Sequence, residues 1–148
     1  MSHIRHTGNI SKEVNILDEI YLISNHHRVG NRKKSMWSIN QQQELDIFKI
    51  MLEKEWYKTD EGWSLLRENN INSVLGESVY DYQTGTRRNL KVAMFEDSNN
   101  NHKWHGYPAD YTNEQDRPPS NIFDNWVKNG LITKGCKRRF QNGKGDIK

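Results

Sequence analysis

The sequence predicts an α+β domain: two or three N-terminal helices packed on a small antiparallel sheet at about residues 77–107, closed by a C-terminal helix at about 120–129. Three observations predict it. Apolar residues recur at helical spacing before Asn70, the texture changes to period-two alternation after Gly76, and helical spacing returns behind Pro118-Pro119-Ser120. At 148 residues the chain suits one hydrophobic core, because single cores typically serve about 100 to 150 residues. The polar ends, 1–10 and 141–148, read as flexible.

Ser11 is positioned to cap a first helix running to about Asn25, with Val14, Leu17, Ile20 and Tyr21 on one face. The segment from Arg28 to Ser35 has loop composition, with Gly30 as a stop. Ser38 followed three residues later by Gln41 reads as a capping box. Behind it Leu45, Ile47, Phe48, Met51 and Leu52 carry a helical pattern to about Tyr57. Thr59 or Asp60 can cap a short third helix bearing Trp63 and Leu66 and ending near Asn69 and Asn70.

Strand texture follows. Val79, Tyr80 and Tyr82 precede a turn at Thr84-Gly85, and Leu90, Val92 and Met94 then alternate with Lys91, Ala93 and Phe95. The polar run from Asp97 to Asn101 makes a second hairpin loop, after which His102 to Tyr107 pairs back on Leu90 to Glu96. Pro108 ends that strand. Ser120 caps a helix with Ile122, Phe123, Trp126 and Val127 on one side, and Asn129-Gly130 stops it.

Composition bounds the function. Hydrophobic residues make up only 33% of the chain, but five Trp, six Tyr and four Phe make a core feasible, since each aromatic buries roughly 150 to 250 Å². The single cysteine, Cys136, excludes an internal disulfide and any zinc site needing two thiolates, and suits a cytoplasmic protein. No apolar run approaches the roughly 18 residues of a membrane span, so no membrane partner is expected. The glycines form neither a phosphate-binding loop nor a dinucleotide fingerprint, so no nucleotide cofactor, and no other cofactor, is expected.

The net charge of +3 is unevenly spread. From Asn125 onward the cations Lys128, Lys134, Lys137, Arg138, Arg139, Lys144 and Lys148 face Asp146 alone, and Arg28, Arg32, Lys33 and Lys34 form a second cluster. A basic pole of this kind suits nucleic acid or an acidic protein partner. Lys103, Trp104, His105 and Tyr107, taken with Lys137, Arg138, Arg139 and Phe140, supply rings to stack on bases and cations to neutralise phosphate.

The first reading is therefore a small intracellular binding module with a basic, aromatic surface for nucleic acid. A protein-binding inhibitor of immunity or antitoxin type, anchored by Trp104, Tyr107 and the arginines, is the alternative. The third is a metal-independent ribonuclease with His105 as base, Lys103 as cation and Arg138 or Arg139 on the phosphate. On a strand, His102 and Trp104 point one way while Lys103 and His105 point the other, which separates the imidazoles and specifies no metal site, with Asp97, Asp110, His26 or His27 as the third ligands one would need.

His105-Gly106-Tyr107-Pro108, with Pro119-Ser120 and Asp124, resembles the zinc-binding segment of JAMM-type metallopeptidases over about twenty residues. Tyr107 stands where that family has its second zinc-binding histidine, and the gap to Pro119 is longer, so no catalytic role follows from the likeness.

Overall fold

In place of the expected first helix, the chain opens with an antiparallel hairpin of Ile10–Ile16 (β1) and Glu19–Ser24 (β2). The computed structural model describes residues 10–24, 27–28 and 33–148. The Gly30 stop, Arg32 of the second basic cluster, His26 and nearly all of the 1–10 end lie outside the described residues. The hairpin turns on Leu17 and Asp18, at φ of 49° and 68°. A two-residue turn with both central residues left-handed matches the twist of its strands. In the strand Glu19–Ser24, Tyr21 and Ile23 are buried and their neighbours are not fully so, the alternation of a strand rather than a helix face.

The remaining strands are Met36–Trp37 (β3), Tyr57–Lys58 (β4), Glu61–Ser64 (β5), Arg67–Glu68 (β6), Ile71–Asn72 (β7), Gly76–Glu77 (β8), Asn89–Leu90 (β9), Ala93–Glu96 (β10) and Lys103–Pro108 (β11). The main sheet has six strands in the order β1-β2-β11-β10-β5-β4. Its pairings are antiparallel except between β11 and β2, where Lys103 lies opposite Ile20. The expected helix-first arrangement on a small sheet is therefore overturned: the N-terminal hairpin and residues 57–64 belong to the largest sheet. The expected third helix is instead β5, β6 and β7, with Asn69 and Asn70 at φ of 54° and 64° forming the turn between β6 and β7. The turn near Thr84-Gly85 does form, closed by an Asp81–Thr86 bridge, but its arms β8 and β9 join β3 in a separate small sheet.

Helix α1, Gln41–Lys54, begins two residues later than Ser38 suggests. Asn40 is its cap: Gln43 N donates to Asn40 Oδ1 at 2.8 Å, and Asn40 N donates to Gln43 Oε1 at 3.0 Å. Its buried face, Ile47, Phe48 and Met51 with Glu44, lies on one side of the main sheet. The Phe48 ring is 4.7 Å from Tyr21, 5.4 Å from Phe95 and 6.0 Å from Trp104. Glycines let helix and sheet approach this closely. A Cβ on Gly62 would meet Met51 Sδ at 1.9 Å, and one on Gly106 would meet Phe95 Cδ1 at 2.5 Å and Tyr21 Oη at 2.7 Å.

Two further helices close the molecule. Helix α2, Ser120–Lys128, has Pro119 at its cap position with no side-chain cap bond, so Ser120 is the first helical residue rather than the cap. Gly130 stops the chain beyond it at φ 72°. Helix α3, Lys134–Gln141, was not foreseen; Thr133 caps it by accepting from Cys136 N at 3.1 Å. Residues 141–148, expected as a flexible end, carry Ile147 in the core at 2% exposure. The Lys148 carbonyl accepts from Asn72 Nδ2 at 2.9 Å, and Asp146 Oδ2 accepts from Lys91 N at 2.8 Å.

The core also holds a charge. Glu44 accepts from the Tyr21 hydroxyl and, at 2.5 Å, from Arg28 Nη2, while Arg28 Nη1 donates to the Ile39 carbonyl at 2.7 Å. Burial pushes the Glu44 carboxyl up against the pull of both partners. Truncating one member of a buried pair strands the other, which typically costs about 3 to 5 kcal/mol. Glu44→Ala should therefore lower unfolding stability by about 3 kcal/mol in urea titrations, and a loss under about 1 kcal/mol would contradict the pairing.

Candidate active site

The face of the sheet turned away from α1 collects the titratable groups. Along β11, Trp104, Gly106 and Pro108 are buried on one side, while Lys103, His105 and Tyr107 are half-buried on the other. Pairing sets their neighbours. Glu96 on β10 lies opposite His105 on β11 and Glu61 on β5; one step along, Met94 lies opposite Tyr107 and Trp63. Directly opposed side chains share a face with Cβ atoms about 4.5 to 5.5 Å apart. His105, Glu96 and Glu61 thus form one row across three strands, with Tyr107 in the next.

Glu96 is the centre of the row. Its Oε1 accepts from the Tyr107 hydroxyl at 2.8 Å, and its Oε2 is 3.7 Å from His105 Nε2. The His27 ring stacks on Tyr107 with centroids 5.5 Å apart. His27 Nδ1 donates to the Ser35 carbonyl at 2.7 Å. Because a carbonyl only accepts, the ring proton sits on Nδ1 in the neutral form.

These groups line a cavity of about 840 Å³ together with Lys33, Lys34 and Asp116. Its walls are fixed. Arg87 Nη1 donates to the Lys34 and Ser78 carbonyls, each at 2.9 Å. Arg88 forks onto Asp110 at 2.9 and 2.8 Å and lies 5.0 Å from the centre of the Tyr111 ring. Asp116 Oδ2 accepts from Asp110 N at 2.9 Å, and the Asp116 carbonyl accepts from Trp63 Nε1 at 3.0 Å, tying the segment after β11 over β5.

Burial and crowded carboxylates perturb the site. Burial, then the nearby Asp116 and Glu96, drives the Tyr107 hydroxyl far up, so it stays protonated and donates. Burial, then the charges of Glu96 and Asp60, raises the Glu61 carboxyl. Asp116 is pushed up to about 6 by burial, opposed by the Asp110 N–H and reinforced by the charges of Asp110 and Glu96. Burial also pushes Asp110 up, but Arg88 and Thr112 outweigh it and hold that carboxyl below its ordinary range.

The residues singled out in the sequence fall in three places. His105 and Tyr107 line the cavity, with Lys103 beside them on the same face but paired to Glu13 at 3.5 Å. Lys137 and Arg138 line a separate groove between α2 and α3, where Lys137 holds Asp124 at 2.5 Å. Arg139 is exposed on α3 with its guanidinium against Gly145. Trp104 and Phe140 are in the core, at 4% and 0% exposure. Trp104 Nε1 donates to Glu19 Oε1 at 2.8 Å, and Phe140 packs against Phe123 and Tyr111. Neither ring can stack on a base, so the single basic, aromatic surface expected from the sequence is not assembled.

His102 sits in the turn before β11 and pairs with Glu19 at 2.9 Å. Among the described residues, no three His, Cys, Asp or Glu side chains converge so as to hold a metal ion. No helix among them is long and apolar enough to cross a membrane.

Glu61, Glu96 and Asp116 were missed in the sequence. The hairpin loop hides the pairing: Asp97 accepts from Asn101 N at 3.0 Å and from His102 N at 2.8 Å, which gathers residues 97–102 into a turn, and Lys103 and Trp104 pair with β2 before β11 meets β10 at His105. A tight loop over the polar run alone would set Glu96 against His102 rather than His105.

Asp116 carries a pH signature. Its folded value of about 6 lies above the ordinary carboxylate value, so its contribution to stability is complete below about pH 4 and is lost as pH rises through about 6. Asp146, also near 6 through burial, acts in the same direction. The melting temperature should rise as pH falls from about 7 to about 5, and Asp116→Asn should flatten that rise. A profile that is equally steep in the variant would contradict the assignment.

No protein family matches the chain, and no curated protein or solved structure is similar to it.

Proposed function

We propose that the protein is a metal-independent ribonuclease whose active site is the row His105, Glu96 and Glu61. The observation that carries this reading is an imidazole and two carboxylates set across three paired strands in a cavity that two lysines also line. Cleavage of RNA by its own 2′-hydroxyl needs a base, an acid and cations for the phosphorane, and no more.

His105 and Glu61 are two strand spacings apart, roughly 9.6 Å between backbones, which leaves room for a phosphorus centre between their ends. Glu61 takes the proton of the 2′-hydroxyl. The 2′-oxygen bonds to phosphorus, the bond from phosphorus to the 5′-oxygen breaks, and the His105 imidazolium gives its proton to that departing oxygen. The products are a 2′,3′-cyclic phosphate and a free 5′-hydroxyl. Glu96 is a positioning residue: it holds the imidazolium at 3.7 Å and is itself fixed by Tyr107. Lys33 and Lys34 oppose the charge of the phosphorane.

The surplus of carboxylates makes a pH demand. When Glu61, Glu96 and Asp116 are all ionised they repel phosphate, so cleavage weakens above about pH 6, as Asp116 ionises. It also falls at low pH, where the base is protonated, giving a bell with an acidic optimum.

A second reading has one observation in its favour. Glu61 and Glu96 are directly opposed, and carboxyl groups about 5 Å apart are also the pair with which retaining enzymes cleave glycosides. Sugar hydrolysis has no use for the imidazole or the lysines, which places it second.

Incubation with a labelled single-stranded RNA separates the two. The native protein should cleave it to cyclic-phosphate ends and leave the all-deoxy strand intact, and His105→Ala and Glu61→Gln should each lose about 100-fold or more in kcat/KM. An inert native protein, or variants as active as the native one, would overturn the reading. Hydrolysis of a neutral glycoside instead would install the second.

A further inference from the structure

Helices α2 and α3 meet along a groove of about 500 Å³ lined by Lys128, Lys134, Lys137, Arg138, Asp124 and Gln141, with Val127 its one apolar wall residue. On α3, Lys134, Lys137 and Arg138 stand three and four positions apart and so share a face. Lys128 comes from the last turn of α2, where a cation also suits the helix dipole. The only carboxylate lining the groove, Asp124, is already held by Lys137 at 2.5 Å. Lys128, Lys134 and Arg138 are exposed, and none of them forms an ion pair or side-chain hydrogen bond among the described residues.

We propose that this groove is a docking site for the phosphate backbone of single-stranded RNA, separate from the cavity that cleaves it. The charge of the groove calls for a polyanion. Its lack of rings decides which kind: protein interfaces draw much of their affinity from aromatic side chains buried at their centre, whereas Phe140 is fully buried beneath α3 and the exposed large apolar residues, such as Tyr57 and Tyr82, lie on other elements. A surface with cations and no stacking rings grips phosphates without reading bases, and its affinity depends steeply on salt. The identity of the polyanion rests on the ribonuclease reading; the groove itself does not. An enzyme with a carboxylate-rich cavity gains from such a surface, because backbone affinity supplied elsewhere offsets repulsion at the cleavage site.

The test uses the full chain carrying His105→Ala, so that RNA survives. Binding of a labelled single strand of about 20 nucleotides is followed by fluorescence anisotropy between about 50 and 200 mM salt, with and without Lys134→Glu and Arg138→Glu together. Both positions are exposed, and the circular dichroism spectrum of the variant should match that of the native protein. The charge-reversed protein should bind about 10-fold or more weakly, with a log–log salt slope shallower by about 1.4, the value for two phosphates on a single strand. In the catalytically intact background the same pair should raise KM for the long strand by more than it raises KM for a dinucleotide. Unaltered affinity and slope in the charge-reversed protein would overturn the groove while leaving the cavity standing. Salt-insensitive binding, or preference for an acidic protein over RNA, would also overturn it. RNA held through the groove by a native protein that cleaves nothing would overturn the ribonuclease reading alone.

Discussion

The register in which β5, β10 and β11 pair decides what the cavity contains. Side chains on a strand alternate between faces, so a slip of one residue in β11 would send His105 and Tyr107 into the helix-packed side and bring Trp104 out. The slip is forbidden by the other face. Gly106 lies where Phe95 and Tyr21 leave no room for a side chain, and Gly62 lies under Met51 of α1. A histidine or tyrosine at the Gly106 position would overlap both rings. The packing of one helix on one side of the sheet therefore orders the titratable groups on the opposite side, about one sheet thickness away from the contacts that specify it.

Buried charge plays two parts in this chain. Glu44, on the apolar face of α1, ties the helix to Tyr21 of β2 and to Arg28, the residue next to His27. That bond carries the specificity of the helix–sheet docking into the segment that lays His27 over Tyr107. The cavity carboxylates work differently. Asp110 is neutralised by a forked arginine and two hydrogen bonds from Thr112, and it serves as scaffold. Glu61 and Asp116 have no such fork; burial raises both, and the charge of Glu96 adds to it in each case. Asp116 is largely enclosed and already accepts from Asp110 N, so Glu61, at the exposed end of β5, is the one placed to meet a substrate.

Helix α1 was legible because fourteen residues repeat one pattern and a cap pairs with its own third residue; reading Ser38 for Asn40 moved only the boundary. The β10–β11 hairpin was legible from strict alternation around a polar run. The first helix was not, because Val14, Leu17, Ile20 and Tyr21 fit a helical period by coincidence, and the residues that turn the chain, Leu17 and Asp18, are not the glycines or asparagines that usually announce a left-handed turn. Asn69-Asn70 does announce one, but the same pair also suits a helix end. Lys103, His105 and Tyr107 share a face as period two requires, yet Trp104 and Phe140 are buried because a ring with one polar atom, or none, gains more from the core than from water. Glu61 and Glu96 are invisible in the sequence for a different reason: what makes them a site is pairing between strands separated by about thirty residues, and the helical spacing of Trp63 and Leu66 conceals the strand.

The register is tested where the chemistry depends on it by following the His105 ring-proton shifts from about pH 5 to 8 in the native protein and in Glu96→Gln. An imidazole held 3.7 Å from a carboxylate must lose its proton more easily once that charge is gone, so the His105 titration midpoint should move to lower pH in the variant. A midpoint that does not move would separate His105 from Glu96 and contradict the row of groups on which the proposed chemistry stands.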